Sequence, residues 1–280
     1  MILTIAAIFL GFTVSTQAIP FPAASPVSSI PDIAAIIAVD PNSFPSYQTG
    51  GLVRTNSTVA PSNSIAARGC ANGVSGDGNC CATSAILTWG DADTGGPGLK
   101  LTNGDSNNYY GFYVYENSCD YIPYKYIWIA GGATEFITLP SNFQGRITRG
   151  TDAMNLAGVP QLLGTWFEFN WQPDGSIWGD VSLIRGCDQG ILIWSTDGSG
   201  AWKGFTQNIL ANAPVGAWAE KPDGTWVLAP TEGPTADVIT LNYELTAVGP
   251  QYAYIDDSHG SPVITSSNGV FGAYFDPGTI

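Results

Sequence analysis

Residues 164–187, GTWFEFNWQPDGSIWGDVSLIRGC, contain two runs in which apolar and polar residues alternate. A period of two places every other side chain on the same face of a β-strand, so TWFEFNW and SIWGDVSLI are both predicted strands. The connection QPDG supplies the fixed φ of Pro173 and the positive φ that Asp174-Gly175 tolerates. The stretch therefore predicts a β-hairpin.

The predicted hairpin carries two carboxylates among aromatic side chains. Glu168 lies between Phe167 and Phe169 on the first strand, and Asp180 follows Trp178 on the second, separated from it by one glycine. Because the strands of a hairpin lie side by side, these carboxylates predict an acidic cleft. The alternative interpretation is that both simply point to solvent, as carboxylates do on half-exposed sheets.

The spacing of this pair resembles the central motif of thaumatin-like proteins, in which a Glu and an Asp twelve positions apart line an acidic cleft. Glu168-Phe169 and Asp180-Val181-Ser182 have that spacing. Other segments are similar to motifs of the family and follow in the same order. They are residues 117–121 (NSCDY), 145–151 (GRITRGT), 250–257 (PQYAYIDD) and 275–277 (FDP). The resemblance spans residues 105–278.

The resemblance implies both a fold and a function. The implied fold is all-β, a thaumatin-like β-sandwich with one short helix and long loops. The implied function is binding of cell-wall β-glucan through an acidic, aromatic-lined cleft, in a wall-associated, adhesive or host-interaction role. A weak endo-β-1,3-glucanase that uses Glu168 and Asp180 is the alternative, and a non-catalytic structural surface protein is the third hypothesis.

Several charged positions of the family's cleft differ in this chain. Arg185 stands where the family has a second cleft Asp, and Gln251 stands where it has the Asp of its P-D-A-Y segment. The second arginine of the family's G-R-I-W-[GA]-R-T segment aligns with Gly150 of this chain, and Arg149 lies one position earlier. These differences favour binding over hydrolysis. The candidate ligand-binding residues are Arg149, Trp166, Trp178, Arg185, Asp256 and Asp257.

The two carboxylates are also the candidate catalytic residues. Glycoside hydrolysis needs one carboxyl that is protonated and one that is ionised. Glu168 suits the acid because its aromatic neighbours would raise its pKa by desolvation. Asp180, which follows Gly179, suits the base or nucleophile.

Five tryptophans surround the hairpin in sequence. An exposed indole offers a plane on which the apolar face of a sugar ring can stack, whereas a buried one contributes to the core. For any single one of them the sequence favours the core. They are Trp166, Trp171, Trp178, Trp194 and Trp202.

The chain is strongly acidic. Its formal net charge is −14, with 9 Lys and Arg against 23 Asp and Glu, and its pI is about 4.1. Such a field repels nucleic acids and anionic membranes, so neither is an expected partner. Neutral polysaccharides, cationic surfaces and extracellular proteins remain as partner classes.

The first 66 residues differ in composition from the rest. Residues 1–18 are an apolar run that ends in small residues, which predicts a secretory signal peptide and an extracellular or cell-wall location. Residues 19–66 are rich in Pro, Ser and Ala and are predicted to be a disordered segment or propeptide. Asn56 begins an N-x-[ST] sequon there, a candidate glycosylation site. Residues 67–280 are predicted to be the β-sandwich domain.

Five cysteines favour disulfides in an oxidising compartment. Cys70 is expected to pair with Cys80 or Cys81, and Cys119 with Cys187, although an odd number leaves one thiol over. The chain has one histidine and lacks the ligand spacing of a zinc site, so no metal and no cofactor are predicted.

The remainder of the domain is predicted to be a succession of short strands rich in Tyr, Trp, Ile, Val and Thr. This spacing favours a sandwich or barrel. One helix is predicted at residues 201–213, where apolar residues recur on one helical face. Besides the hairpin, the predicted strands are residues 111–115, 125–129, 135–139, 145–148, 190–194, 225–228, 238–245, 252–255 and 269–274.

Overall fold

The computed structural model describes residues 81–117, 119–160 and 162–278. The predicted signal peptide, the Pro-rich segment, Asn56, Cys70 and Cys80 therefore lie outside the described residues. Within them the fold is mostly β, as the sequence predicts, with two α-helices of which one is short. The prediction of an all-β sandwich is confirmed, and assignment to the thaumatin-like family stays a prediction.

The elements run as follows. The strands are β1 (Ile86–Thr88), β2 (Gly98–Asn103), β3 (Tyr110–Glu116), β4 (Lys125–Ile129), β5 (Thr134–Thr138), β6 (Gln144–Gly150), β7 (Trp166–Trp171), β8 (Ile177–Ser182), β9 (Ile191–Ser195), β10 (Trp202–Gly204), β11 (Trp218–Glu220), β12 (Trp226–Leu228), β13 (Ile264–Ser266) and β14 (Val270–Phe275). The helices are α1 (Asp152–Asn155), α2 (Val238–Ala247) and a 3-10 turn at Leu210–Asn212.

Two sheets pack face to face around an aromatic core. The larger has the order β1-β4-β3-β6-β7-β8-β13, the smaller has the order β10-β9-β14-β2-β5, and β11 and β12 form a separate hairpin. Phe112 of the large sheet meets Phe275 of the small one at 4.8 Å between ring centroids, and Phe167 meets Phe271 at 6.0 Å. Alternate residues of the large sheet therefore point away from the core, on its outer face.

The central hairpin forms as predicted. β7 and β8 pair antiparallel from Trp166 opposite Ser182 to Trp171 opposite Ile177. Gly175 has φ +87° in the connecting loop, the left-handed conformation that Asp-Gly favours in a three-residue hairpin turn. The hairpin lies in the interior of the large sheet, between β6 and β13.

The prediction of a helix at residues 201–213 is wrong. Trp202–Gly204 pairs with β9 as an edge strand, and only Leu210–Asn212 makes a helical turn. Gly204 has φ +97°, and a Cβ there would lie 2.0 Å from the carbonyl oxygen of Ile191. Pairing with β9 thus fixes a backbone conformation that no helix contains.

The strand predicted at residues 238–245 is also wrong, because this segment is α2. Its β-branched residues suggested a strand, but its ends carry helix signals. The side chain of Asp237 accepts a hydrogen bond from the backbone N–H of Thr240 at 2.7 Å, an N-cap. Gly249 follows the helix with φ +91°. The strand predicted at residues 252–255 is reduced to an isolated bridge between Tyr254 and Ser182.

The described disulfide joins Cys81 to Cys119, with 5.4 Å between the Cα atoms. Of the two alternatives for Cys70, pairing with Cys81 is therefore wrong, as is the pairing of Cys119 with Cys187, while pairing of Cys70 with Cys80 lies outside the described residues. β1 runs parallel to β4, with Ile86 opposite Lys125, so the residues preceding the two strands lie at the same end of the sheet. That pairing brings Cys81 to Cys119 and leaves Cys187 as a buried free thiol.

Candidate functional site

A groove of about 390 Å³ lies on the outer face of the large sheet. Its floor is formed by β7 and β8, and residues of the segments that follow β8 and α2 form a wall. The lining combines two carboxylates of the hairpin with side-chain amides and aromatic rings. The residues that line it are Asn117, Gln144, Gly145, Glu168, Phe169, Asn170, Trp178, Asp180, Ile184, Tyr254, Asp257 and Val263.

The two predicted catalytic carboxylates face each other across the hairpin. Glu168 of β7 is directly opposite Asp180 of β8, so both side chains lie on the outer face of the sheet. Side chains in such a pair have Cβ atoms about 4.5–5.5 Å apart. The sequence prediction that both line one acidic cleft agrees with this register.

Glu168 and Asp180 have different surroundings, which affect their pKa values differently. Burial raises the pKa of Glu168, while a hydrogen bond from Ser182 and the charge of Arg146 act in the opposite direction. Burial and then the charge of Glu168 raise the pKa of Asp180 well above its ordinary value. Oδ1 of Asp180 is buried and has no hydrogen-bond partner among the described residues.

The pKa of both carboxyls is raised, and the surroundings favour Asp180 as the member that holds a shared proton, because Ser182 and Arg146 stabilise the ionised form of Glu168 alone. Sequence reasoning favoured the reverse, with Glu168 as the acid, because the aromatic neighbours of Glu168 in sequence suggested an apolar environment. Phe167 and Phe169 in fact point to the opposite face of the sheet, into the core. The outer face supplies Glu168 with an arginine and a hydroxyl instead.

Arg146 is the site residue that sequence reasoning missed. It lies directly opposite Glu168 in the β6–β7 ladder and is 4% exposed. Its guanidinium carbon lies 4.2 Å from the centroid of the Trp166 ring and 5.0 Å from that of Tyr115, and Nη2 donates to Oδ1 of Asp120. Two aromatic rings and an ion pair thus hold the positive charge beside Glu168. The available signal was the GRITRGT segment, which contains this arginine.

The electrostatic role of Arg146 predicts a pH-dependent effect of Arg146→Met. Loss of the cation raises the folded-state pKa of Glu168 further. A carboxyl with a raised folded pKa stabilises the fold fully below its unfolded pKa and loses that contribution as pH rises through the folded value. The variant's deficit in unfolding free energy should therefore grow as pH rises above the ordinary pKa of a glutamate, by about 1.4 kcal/mol for each unit of added pKa shift.

Denaturant titrations at several pH values measure this deficit. Lys100→Met is the control, because Lys100 is 45% exposed and pairs with Asp93. A deficit in Arg146→Met that stays constant across the pH range would show that Arg146 acts through packing alone.

Trp178 is the tryptophan that reaches the groove. It follows Ile177 on β8, two positions before Asp180 on the same face, and its side chain is 50% exposed. Trp166, Trp171 and Trp194 are buried at 9% exposure or less, and Trp202 is half-buried against Tyr252. Trp171 belongs to the core, whereas Trp166 packs on Arg146 on the outer face. Trp178 is therefore the available stacking surface at this site.

The other predicted ligand-binding residues divide into two groups. Asp257 lines the groove, and Arg185 lies close enough to lower the pKa of Glu168. Arg149 lies elsewhere, since its Nη1 donates to the carbonyl oxygens of Asp276 and Pro277 on the opposite face of β6. Strand alternation puts Arg146 and Arg149 on opposite faces of β6. Arg146, rather than the predicted Arg149, therefore lies beside Glu168.

Asp256 is also directed away from the groove. It is 6% exposed and accepts hydrogen bonds from the backbone N–H groups of Ser258 and His259 at 3.0 and 2.8 Å. It bonds to Nδ1 of the His259 ring as well, at 2.8 Å. Asp256 therefore closes a turn behind the wall that carries Asp257.

The described residues contain no group of three or more His, Cys, Asp or Glu side chains placed to hold a metal ion. Among the same residues, no helix has the length and apolar character needed to cross a membrane.

No protein-family model matches the chain, and no curated protein matches it. The chain is similar to the crystal structure of the protein elicitor MoHrip2 from Magnaporthe oryzae. The similarity has 11% sequence identity and a TM-score of 0.28, and it covers 50% of this chain and 94% of that chain. At this TM-score, the likeness says nothing about the chemistry of the groove.

Proposed function

We propose that this chain is a secreted thaumatin-like protein that binds cell-wall β-glucan in the groove on the large sheet. The observation that carries the proposal is the half-exposed Trp178 beside the acid pair in a groove lined by amides. Exposure of a single indole is common at protein surfaces, so the support comes from its position in a concave site beside polar groups, the usual composition of a ligand site. The role is wall-associated, adhesive or host-interacting.

The lining fits a neutral sugar polymer. The indole of Trp178 offers a plane for the C–H face of a pyranose ring, and the exposed amide of Asn117 supplies both a donor and an acceptor for hydroxyl groups. Asp257 adds an exposed carboxylate acceptor on the wall. A few polar groups around an aromatic surface are the usual composition of a small-molecule or glycan site.

Retention on insoluble β-1,3-glucan tests the stacking role of Trp178. We expect Trp178→Ala to bind about tenfold more weakly or worse, a loss of about 1.4 kcal/mol or more, because the sugar loses its apolar surface. Sedimentation of the protein with the polymer over a range of polymer concentrations measures the affinity.

Trp226→Ala is the matched control for this measurement. Trp226 is also 50% exposed but lies on β12, outside the groove lining. Equal losses in the two variants would assign retention to non-specific contact between exposed indoles and the polymer. Absence of retention of the wild-type protein would contradict glucan binding and favour an extracellular protein partner or a structural surface role.

Hydrolysis of the same glucan is the second candidate function, and the acid pair supports it. Retaining glycosidases place their carboxyls about 5–5.5 Å apart, and inverting enzymes about 6.5–9.5 Å apart. The directly opposed Cβ atoms of Glu168 and Asp180 favour the shorter separation. In that mechanism Asp180 is the proton donor to the leaving sugar and Glu168, which Ser182 and Arg146 help to keep ionised, is the nucleophile.

A further inference from the structure

Helix α2 presents a carboxyl to the interior of the domain. Thr240, Glu244 and Ala247 form its buried stripe, and Glu244 is 0% exposed. Neither Oε1 nor Oε2 of Glu244 has a hydrogen-bond partner among the described residues. Two neighbouring polar side chains of the helix are hydrogen-bonded: Oγ1 of Thr240 donates to the carbonyl oxygen of Ala217 at 3.1 Å, and the Tyr243 hydroxyl donates to that of Ile209 at 2.6 Å.

The groups around Glu244 offer no compensation for a negative charge. The titratable groups that interact with it are the Cys187 thiol, from the segment after β8, and Tyr243, its neighbour on α2. Lys221 is the nearby cation, but it forms an ion pair with Asp188, the residue after Cys187, with 2.6 Å between Nζ and Oδ2. Among the described residues no cation forms an ion pair with Glu244. An ionised carboxylate in this position would cost several kcal/mol.

Docking of α2 is therefore linked to protonation of Glu244. Burial alone raises the pKa of this carboxyl well above its ordinary value. When α2 leaves the sandwich, the carboxyl reaches water and recovers an ordinary pKa of about 4.3. The neutral form favours the docked helix and the ionised form favours the released one.

We propose that Glu244 is a pH-sensitive latch, which holds α2 against the sandwich while its carboxyl is neutral and releases the helix when the carboxyl ionises. Two segments connect the latch to the groove. The chain that continues from α2 carries Tyr254 and Asp257 to the groove wall, and Ile184 lies three positions before Cys187, whose thiol interacts electrostatically with Glu244. Release of α2 is expected to weaken ligand retention, a consequence that rests on the proposed function.

The sign of the effect follows from linkage. Below about pH 4.3 the carboxyl is neutral whether α2 is docked or released, so docking is strongest there. Above that pH, and up to the pKa of the docked state, the fraction of molecules with α2 released rises about tenfold per pH unit. The latch therefore holds in acid and opens towards neutral or alkaline pH.

Alkylation of the buried Cys187 thiol can measure the release of α2. Cys187 is 0% exposed, and it is the free cysteine of the described residues. The test is the rate of alkylation of Cys187 in the native protein at pH 5 to 8, measured by mass spectrometry of the peptide that contains it. The ratio of the wild-type rate to the Glu244→Gln rate cancels the ordinary pH dependence of the thiolate.

We expect this ratio to rise about tenfold per pH unit over the part of the range in which Glu244 is linked to docking. Glu220→Gln, which changes an exposed glutamate of β11, should behave as wild type. A pH-independent ratio would overturn the latch. If Glu244→Gln does not fold, hydrogen exchange of α2 amides in the wild-type protein, normalised to amides of β7, gives the same test without a variant. A constant normalised rate there would overturn it equally.

Glucan retention separates this inference from the proposed function. Retention that weakens with rising pH in the wild type, and less so in Glu244→Gln, supports coupling of the latch to the groove. Retention with the same pH dependence in both proteins would overturn that coupling. If no glucan is retained at any pH, the proposed function fails while the alkylation ratio still decides the latch.

Discussion

Glu168→Gln is expected to abolish release of reducing sugar from insoluble β-1,3-glucan while the protein still sediments with the polymer. Gln has nearly the shape of Glu but cannot act as a nucleophile or carry a proton between the reacting groups. Loss of a catalytic carboxyl commonly lowers turnover by about 10²–10⁴-fold or more. The proposed binding through Trp178 and the amides does not require the charge of Glu168. The two readouts therefore separate chemistry from retention.

Asp180→Asn should lower the same activity, and Glu220→Gln, an exposed glutamate outside the groove, is the matched control. Sugar release that is unchanged in Glu168→Gln would contradict a catalytic role for this residue. Retention without release by the wild-type protein would leave binding as the function of the groove. In that case Arg185 and Gln251 mark the positions at which this chain differs from the acidic cleft of the proteins it resembles.

Phe167→Ala is expected to cost about 3–5 kcal/mol of unfolding free energy. Phe167 is 0% exposed, and its ring lies 5.3 Å from that of Phe169 and 6.0 Å from that of Phe271, measured between centroids. Its removal leaves a cavity between the two sheets, directly beneath Glu168. Because domains of this kind are stable by only about 5–15 kcal/mol, such a loss is a large part of the total. Denaturant titration measures it.

Tyr121→Ala is the control for this substitution. Tyr121 is 58% exposed, so its truncation should change the unfolding free energy by no more than about 0.5 kcal/mol. A similarly small change in Phe167→Ala would contradict the placement of β7 at the centre of the interface between the sheets.

The hairpin could be predicted because its determinants are local. Alternation along β7 and β8 defines the two faces, and Pro173-Asp174-Gly175 defines the turn, so the register that opposes Glu168 to Asp180 follows from adjacent residues. The strand predicted at residues 238–245 was wrong because local composition was misleading there. Their β-branched residues favoured a strand, but the Asp237 cap and the burial of one face favour the helix α2. The helix predicted at residues 201–213 was wrong because pairing with β9, a distant segment, determines the backbone conformation of Gly204.

The sequence alone determined the all-β class, the central hairpin and the adjacency of two carboxylates, because a two-residue period and a turn signal act over a few neighbouring residues. Only the tertiary structure decided which groups surround that pair. Arg146 reaches Glu168 through a third strand, the parallel pairing of β1 with β4 joins Cys81 to Cys119, and Glu244 is enclosed where α2 docks. Each depends on contacts between segments distant in the chain, and so does the ionisation of each buried carboxyl.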